Sequence, residues 1–262
     1  PFTLASYAIE GKGSRNYVHV KKMMHEAPEL WHQLITKLVD QLASYLQLQI
    51  SAGVEAVQLF DTWVGNLSVQ DYRVFVEPYL KSLLEKIGKE VPVIYFGTGN
   101  YHLLPAVAEL DIDVLAFDWR TPLAPTWDQL GCTAVQGNLD PIVLCADQAA
   151  VAQQTQWLLD QVAGRPGHIF NLGHGIMPNT DPKNVEYLAK SENENKLATA
   201  AHSATEKMWR DSIAVLQKMG VEKASKDKES KDLKVELKKL GVKLVKDNQI
   251  LSTESNKQKE RA

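Results

Sequence analysis

The chain contains the stretch His168-Ile169-Phe170-Asn171-Leu172-Gly173-His174-Gly175, in which a short apolar run passes directly into a histidine flanked by glycines. A strand that ends in this way brings one side chain into a pocket where backbone must also come close, because glycine leaves room for it. A lone histidine at such a position usually does no more than end a strand. Four other apolar runs end similarly, so we interpret the pattern as a repeated feature of one sheet.

The other four runs lie earlier in the chain and are also followed by polar or glycine residues. The runs and the residues after them are 56–60 with Asp61-Thr62, 91–96 with Gly97-Thr98-Gly99, 114–117 with Asp118-Trp119, and 133–135 with Gln136-Gly137-Asn138. Each run is mostly apolar rather than alternating, which is typical of strands covered on both faces in a parallel sheet.

Segments with helical patterns separate the runs. The clearest spans about residues 28–52, with Pro28 in its first turn and Gly53 just past its end. Its leucines recur at helical spacing, at Leu30, Leu34, Leu38, Leu42 and Leu46. Repeated strand and helix units with polar residues at the strand ends are typical of a (β/α) barrel or an open doubly wound sheet. No Gly-x-Gly-x-x-Gly motif follows any of the runs. Its absence disfavours a doubly wound sheet that binds a nucleotide.

Five longer motifs extend this pattern. They are Pro1-Phe2-Thr3-Leu4-Ala5-Ser6-Tyr7-Ala8-Ile9-Glu10-Gly11, Leu59-Phe60-Asp61-Thr62-Trp63, Phe117-Asp118-Trp119, Gln136-Gly137-Asn138-Leu139-Asp140-Pro141 and Phe170-Asn171-Leu172-Gly173-His174-Gly175. In order and spacing they resemble the motifs of the uroporphyrinogen decarboxylase family. The resemblance covers residues 1 to about 190, and a string of motifs is far more specific than any one of them.

The resemblance implies a (β/α)8 TIM barrel, usually a homodimer, that works without a metal or an organic cofactor. Such enzymes remove carbon dioxide from the four acetate side chains of uroporphyrinogen, giving coproporphyrinogen in haem and chlorophyll biosynthesis. It also implies that about five of the eight strand and helix units are present, and that an aspartate and arginines that bind the substrate precede Pro1. We therefore expect a partial barrel of the α/β class that is catalytically inactive by itself, and conversion of uroporphyrinogen would contradict this.

The resemblance also assigns roles to individual residues. The candidate catalytic residues, matched to positions that bind or place substrate carboxylates, are Tyr7, Thr62 and His174. The candidate substrate-binding residues are Phe60, which would pack on the macrocycle, and Gly137, Asn138 and Gly173, which would let loop backbone approach it. Thr62 replaces a serine of some members and retains the hydroxyl. Asp61 and Asp118 end strands, where they would either act in the site or brace neighbouring loops.

Two other functions are compatible with the pattern. Cobalamin-dependent methyltransferases of the same fold bind zinc through a His-x-Cys pair and a further cysteine, and this chain has no His-x-Cys. Cys132 and Cys145 lack metal-ligand or disulfide spacing, so we expect reduced thiols and no metal. A non-catalytic binding or scaffold module that retains the barrel motifs is the second alternative.

Composition and charge divide the chain into two parts. With 44% hydrophobic residues and no apolar run near the roughly 18 residues that cross a membrane, the protein is expected to be cytoplasmic and not to contact membranes. Residues 1–190 contain 13 basic and 20 acidic residues, whereas residues 191–262 contain 16 and 12. The boundary lies in the polar segment 191–195.

The part after this boundary, residues 191–262, is predicted to be a charged, mostly helical appendage. Amphipathic helices are expected to end at Gly220 and Gly241, followed by a short strand at 242–245. Residues 223–227 and 240–242, together with Asp247, are partly similar to the RNA-contacting C-terminal segment of cysteinyl-tRNA synthetases. The lysines would then contact RNA phosphates, or else form ordinary surface pairs with the acidic residues.

Overall fold

The strands form one parallel sheet in this computed structural model, which describes residues 1–11 and 14–194. The strands are β1 (Val57–Phe60), β2 (Val93–Phe96), β3 (Val114–Ala116), β4 (Ala134–Gln136) and β5 (His168–Ile169). Each overlaps one of the five apolar runs, so the expectation of an α/β protein with a parallel sheet is confirmed.

The order of the strands distinguishes between the two architectures that the sequence allowed. They pair strictly in chain order, β1-β2-β3-β4-β5, without a point at which the order reverses. A doubly wound sheet contains such a reversal, whereas neighbouring strands of a (β/α) barrel follow one another around it. The described sheet therefore has the topology of part of a barrel.

Nine α-helices surround the sheet in the described part of the chain. They are α1 (Phe2–Glu10), α2 (Val18–Glu26), α3 (Pro28–Ser51), α4 (Val69–Phe75), α5 (Glu77–Ile87), α6 (Leu104–Val107), α7 (Leu123–Leu130), α8 (Gln148–Val162) and α9 (Pro182–Glu194). Short 3-10 turns cover Val64–Asn66, Tyr101–Leu103 and Pro141–Cys145. Among these helices, none is long and apolar enough to span a membrane.

Helix α3 begins at Pro28 as predicted, but its buried stripe differs from the row of leucines. The buried residues are Trp31, Ile35, Val39, Ala43 and Leu46. Leu30 is 55% exposed, Leu38 and Leu42 are partly buried against the core, and Leu46 is fully buried in it. The Trp31 indole donates a hydrogen bond to the Phe75 carbonyl over 2.9 Å, which ties this face to α4. The row of leucines and the buried row that begins at Trp31 are offset by one residue along the helix. Helix α5 packs on α3, and the row that begins at Trp31 is the one that is fully buried.

Helix α9 closes the described part of the chain. The Asn184 amide nitrogen donates hydrogen bonds to the carbonyls of Leu144, over 3.0 Å, and Ala146, over 2.7 Å, which anchors the helix on the turn before α8. The helix continues through Glu194, so the first residues of the segment assigned to a polar linker are helical. The predicted tail helices, the short strand and the similarity to cysteinyl-tRNA synthetases lie outside the described residues.

Candidate active site

A pocket of about 200 Å³ opens at the carboxyl ends of the strands. Its lining includes the last residues of four strands, Phe60, Phe96, Ala116 and Gln136, and the loop 171–175 that follows β5. Parallel barrels place their active sites at this end, because the loops that follow all the strands meet there. Of the residues proposed from the sequence, the pocket brings together Phe60 and His174.

Aromatic rings form one wall of the site. The ring centroids of Phe60 and Phe96 lie 5.9 Å apart, and the His174 ring lies 6.3 Å from Phe96 and 5.9 Å from Trp119. Phe60 is 63% exposed although it ends a strand of the central sheet. An exposed phenyl ring beside a row of edge-to-face rings offers a flat, apolar surface to a planar or macrocyclic ligand.

Amide side chains form the polar part of the lining. Gln58 and Gln136 lie in β1 and β4, with the Gln136 nitrogen 3.5 Å from the Gln58 oxygen, and Asn171 follows β5. None of these three residues was among the site residues predicted from the sequence. Gln58 is the polar residue of an otherwise apolar strand, and a polar side chain in a strand covered on both faces needs a polar partner or a cavity. That signal would have identified it.

A local hydrogen bond determines which ring nitrogen of His174 accepts. Its Nδ1 accepts from the backbone N–H of Gly175 over 2.8 Å. A ring nitrogen that accepts carries no proton, so the proton of the neutral imidazole resides on Nε2. The residue can therefore donate an Nε2–H hydrogen bond to a carboxylate in the pocket.

Tyr7 lies in α1, and Thr62 follows the end of β1 two residues after Phe60. The Tyr7 hydroxyl is 2.9 Å from the indole nitrogen of Trp63, and the side chain is 49% exposed. The carbonyl of Thr62 accepts hydrogen bonds from the backbone N–H and the hydroxyl of Thr98, at 3.0 and 2.6 Å. Neither Tyr7 nor Thr62 belongs to the pocket lining found among the described residues.

The two strand-end aspartates brace loops. Asp61 is fully buried and accepts hydrogen bonds from the Thr3 backbone over 2.7 Å and the Tyr95 hydroxyl over 3.5 Å. Burial, followed by the field of the Asp61 carboxylate, raises the pKa of Tyr95, which keeps the phenol protonated. Asp118 is also buried and accepts from Gly99 over 2.6 Å. Of the two roles left open by the sequence, these contacts support bracing.

Gly137, Asn138 and Gly173 pack behind the pocket. A Cβ atom on Gly137 would lie 2.8 Å from the Phe117 carbonyl oxygen, and one on Gly173 would lie 2.7 Å from the Cα of Trp119. The Asn138 amide donates to the carbonyls of Asp118, over 2.8 Å, and Thr121, over 2.7 Å. Close contact between strand-end loops thus accounts for both glycines, and contact of these three residues with a ligand stays a prediction.

Two basic side chains near the site, Arg120 and His168, form hydrogen bonds with neighbouring residues. The guanidinium of Arg120 lies 3.8 Å from the centre of the Trp119 ring and donates to Asp118 over 2.8 Å. His168 donates from Nε2 to the Gly137 carbonyl over 2.6 Å, and burial lowers the pKa of this histidine. No group of three metal-ligating side chains occurs in residues 1–11 and 14–194, and both cysteines are free thiols.

Comparison with known proteins identifies the family. The uroporphyrinogen decarboxylase (URO-D) family matches residues 1–194. The chain belongs to this family. The curated uroporphyrinogen decarboxylase of Koribacter versatilis is 49% identical over 193 residues, which cover 72% of this chain and 55% of that protein. The enzyme of Carboxydothermus hydrogenoformans is 46% identical over 192 residues, with the same coverage of 72% and 55%. The chain therefore spans about half the length of the curated relatives it matches.

A solved structure supports the architecture of the uroporphyrinogen decarboxylase family. A methyltransferase from Methanosarcina mazei superimposes with a TM-score of 0.59 at 17% identity, covering 66% of this chain and 52% of that one. This likeness shows the fold alone. The family is one of TIM barrels, and the sequential parallel strands of the described chain form part of such a barrel. The family match does not favour the methyltransferase alternative.

Proposed function

We propose that the pocket at the strand ends binds uroporphyrinogen, and that the full-length protein, rather than this chain by itself, decarboxylates its acetate side chains to give coproporphyrinogen without a metal or an organic cofactor. The observation that carries the proposal is the wall of Phe60, Phe96 and His174 beside amide groups, in a chain of this family. The aromatic wall suits an apolar macrocycle, and the hydrogen-bond donors suit the carboxylates around its edge.

The reaction needs an acceptor for the electron pair of the bond that breaks. When the bond between the acetate methylene and its carboxyl carbon breaks, the pair moves into a pyrrole ring that has been protonated beforehand. Carbon dioxide leaves, the methylene carbon takes up a proton and becomes a methyl group, and the ring loses the proton that it had gained, so that the neutral pyrrole is restored. In this scheme, the Nε2–H of His174 and the hydroxyls of Tyr7 and Thr62 hold substrate carboxylates and so place the reacting acetate.

The proposal extends to the setting in which the enzyme works. In line with the family resemblance, the full-length protein is a cytoplasmic homodimer and uroporphyrinogen is its ligand. Contact with nucleic acid is proposed only for the tail, which lies outside the described residues. A non-catalytic module that binds a tetrapyrrole is the second candidate, since the pocket could bind a ligand without turning it over.

A chimera tests the proposed reaction. Residues 1–194 replace the matching segment of the Koribacter versatilis relative, and anaerobic conversion of uroporphyrinogen is followed by chromatography of the oxidised products. We expect coproporphyrinogen as the product. His174→Ala should lower turnover and make partly decarboxylated intermediates accumulate, because a strand-end residue contributes to the site more than to the fold.

His19→Ala is the matched control, because His19 is exposed on α2, away from the pocket lining. A His174→Ala chimera with unchanged turnover and products would refute the role of that residue. A folded but inactive chimera that still binds uroporphyrinogen would favour the non-catalytic candidate.

A further inference from the structure

Trp63 and Tyr7 connect the end of β1 to α1 through their side chains. The indole Nε1 of Trp63 lies 2.9 Å from the phenol oxygen of Tyr7. An indole N–H can donate a hydrogen bond but cannot accept one, so the Tyr7 oxygen must be the acceptor. The proton of the phenol is therefore not used in this contact.

The accepted hydrogen bond also restricts where the phenol proton points. A hydroxyl has one proton and accepts through its lone pairs, so the direction occupied by Trp63 is closed to the O–H bond. We infer that Trp63 positions Tyr7 as a hydrogen-bond donor toward a carboxylate of the ligand. The inference rests on the proposed function, because it needs an anionic acceptor at Tyr7.

The contacts around Trp63 hold this arrangement in place. Its backbone N–H donates to the hydroxyl of Thr3 over 3.1 Å, and its ring centroid lies 6.3 Å from that of Tyr17. The backbone of Thr3 in turn donates to the buried carboxylate of Asp61 over 2.7 Å. Because Thr3 and Tyr7 belong to the same helix, these bonds fix α1 and the indole relative to each other.

The exposure of the two side chains agrees with Trp63 as the donor to Tyr7 and Tyr7 as the donor to the ligand. Trp63 is half-buried, whereas Tyr7 is 49% exposed. A donor that is oriented before the ligand arrives loses less conformational freedom on binding than a freely rotating hydroxyl. Trp63 thus acts through Tyr7 and is a positioning residue.

A double-mutant cycle in the chimera with the Koribacter versatilis relative tests the inference. The affinity for uroporphyrinogen is measured by anaerobic equilibrium dialysis for the wild type, Trp63→Phe, Tyr7→Phe and the double variant. We expect Tyr7→Phe to weaken binding at least about 10-fold, as the loss of a hydrogen bond to a charged group would give. Trp63→Phe should weaken it about 3- to 10-fold, because the Tyr7 hydroxyl remains but is no longer oriented. In the Tyr7→Phe background, Trp63→Phe should change the affinity less than about 2-fold, because Trp63 then has no hydroxyl to orient.

A second replacement guards against misfolding of Trp63→Phe. Substituting 3-benzothienylalanine for Trp63 keeps the shape of the ring and removes only the N–H. It should weaken binding as much as Trp63→Phe does, while leaving the melting temperature unchanged. A benzothienyl variant with wild-type affinity would overturn the inference.

The outcomes separate the inference from the proposed function. No binding by the wild type, or no effect of Tyr7→Phe, contradicts the proposed function at this position. An effect of Tyr7→Phe without one of Trp63→Phe contradicts the positioning role. Fully independent effects of the two substitutions contradict it as well, because Trp63 would then act directly on the ligand.

Discussion

Gly173→Ala is expected to destabilise the strand-end loops, because no space exists for a methyl group there. An added Cβ would come within 2.7 Å of the Trp119 Cα and 2.8 Å of its Cβ. Neither partner can easily withdraw. The Gly173 N–H donates to the Leu139 carbonyl over 2.7 Å, and the carbonyl of Asp118, next to Trp119, accepts from Asn138 over 2.8 Å.

The magnitude follows from the cost of overpacking. Inserting a methyl group against backbone in a well-packed region costs about 1–3 kcal/mol. For a folded unit of this size, each kcal/mol lowers the melting temperature by about 2–4 °C. Gly173→Ala should therefore melt about 2–12 °C below the wild type, and the displaced Trp119 should alter the near-ultraviolet circular dichroism.

Gly175→Ala supplies a matched control two residues away. Nothing lies within 4 Å of a Cβ built on Gly175, so its unfolding free energy should change by no more than about 0.5 kcal/mol. Both variants and the wild type are compared by thermal unfolding in one buffer. Equal melting temperatures for the two variants would refute the packing argument.

Three further predictions concern stability. Because burial lowers the pKa of His168 from its ordinary 6.5, the unfolded state binds more protons below that pH, so the unfolding free energy should fall as the pH decreases through 6.5. His168→Gln should flatten this slope in denaturant titrations, and an unchanged slope would contradict the assignment. Asn184→Ala should cost about 1–3 kcal/mol in the same titrations by leaving two carbonyls unsatisfied, and an unaltered midpoint would argue against that anchor. Ending the chain after Glu194 should shift the melting temperature by less than about 2 °C, since composition changes there; a loss of several degrees would show that the remainder packs on the barrel.

The strands could be predicted because their signal is local. Each short apolar run bounded by polar or glycine residues contains or overlaps one strand, since a strand covered on both faces needs apolar residues throughout. The start of α3 at Pro28 is equally local, because proline is pre-organised for the first helical turn. The face of α3 that is fully buried depends instead on the neighbouring helices, and the helical spacing of the leucines does not specify it.

Some residues of the candidate site could be predicted from local sequence, and others could not. The strand-end position of Phe60 and His174 could be read from the chain, because parallel strands bring their carboxyl ends to one edge. Gln58 carries a local signal, as the polar residue of an otherwise apolar strand, but that signal does not tell which side chain from another strand lies opposite it in the cavity. Gln136 is that partner. Their proximity depends on the order and register of the strands.

The sequence by itself therefore determined the strands, the class of fold, the family and the strand-end histidine, because each of these rests on short-range pattern or on motif order. Only the tertiary structure decided the direction of the hydrogen bond between Trp63 and Tyr7 and the packing of Gly173 on Trp119. These contacts join residues 56 and 54 positions apart in the chain. Their geometry depends on how α1 and the loops settle on the sheet, which no local pattern specifies.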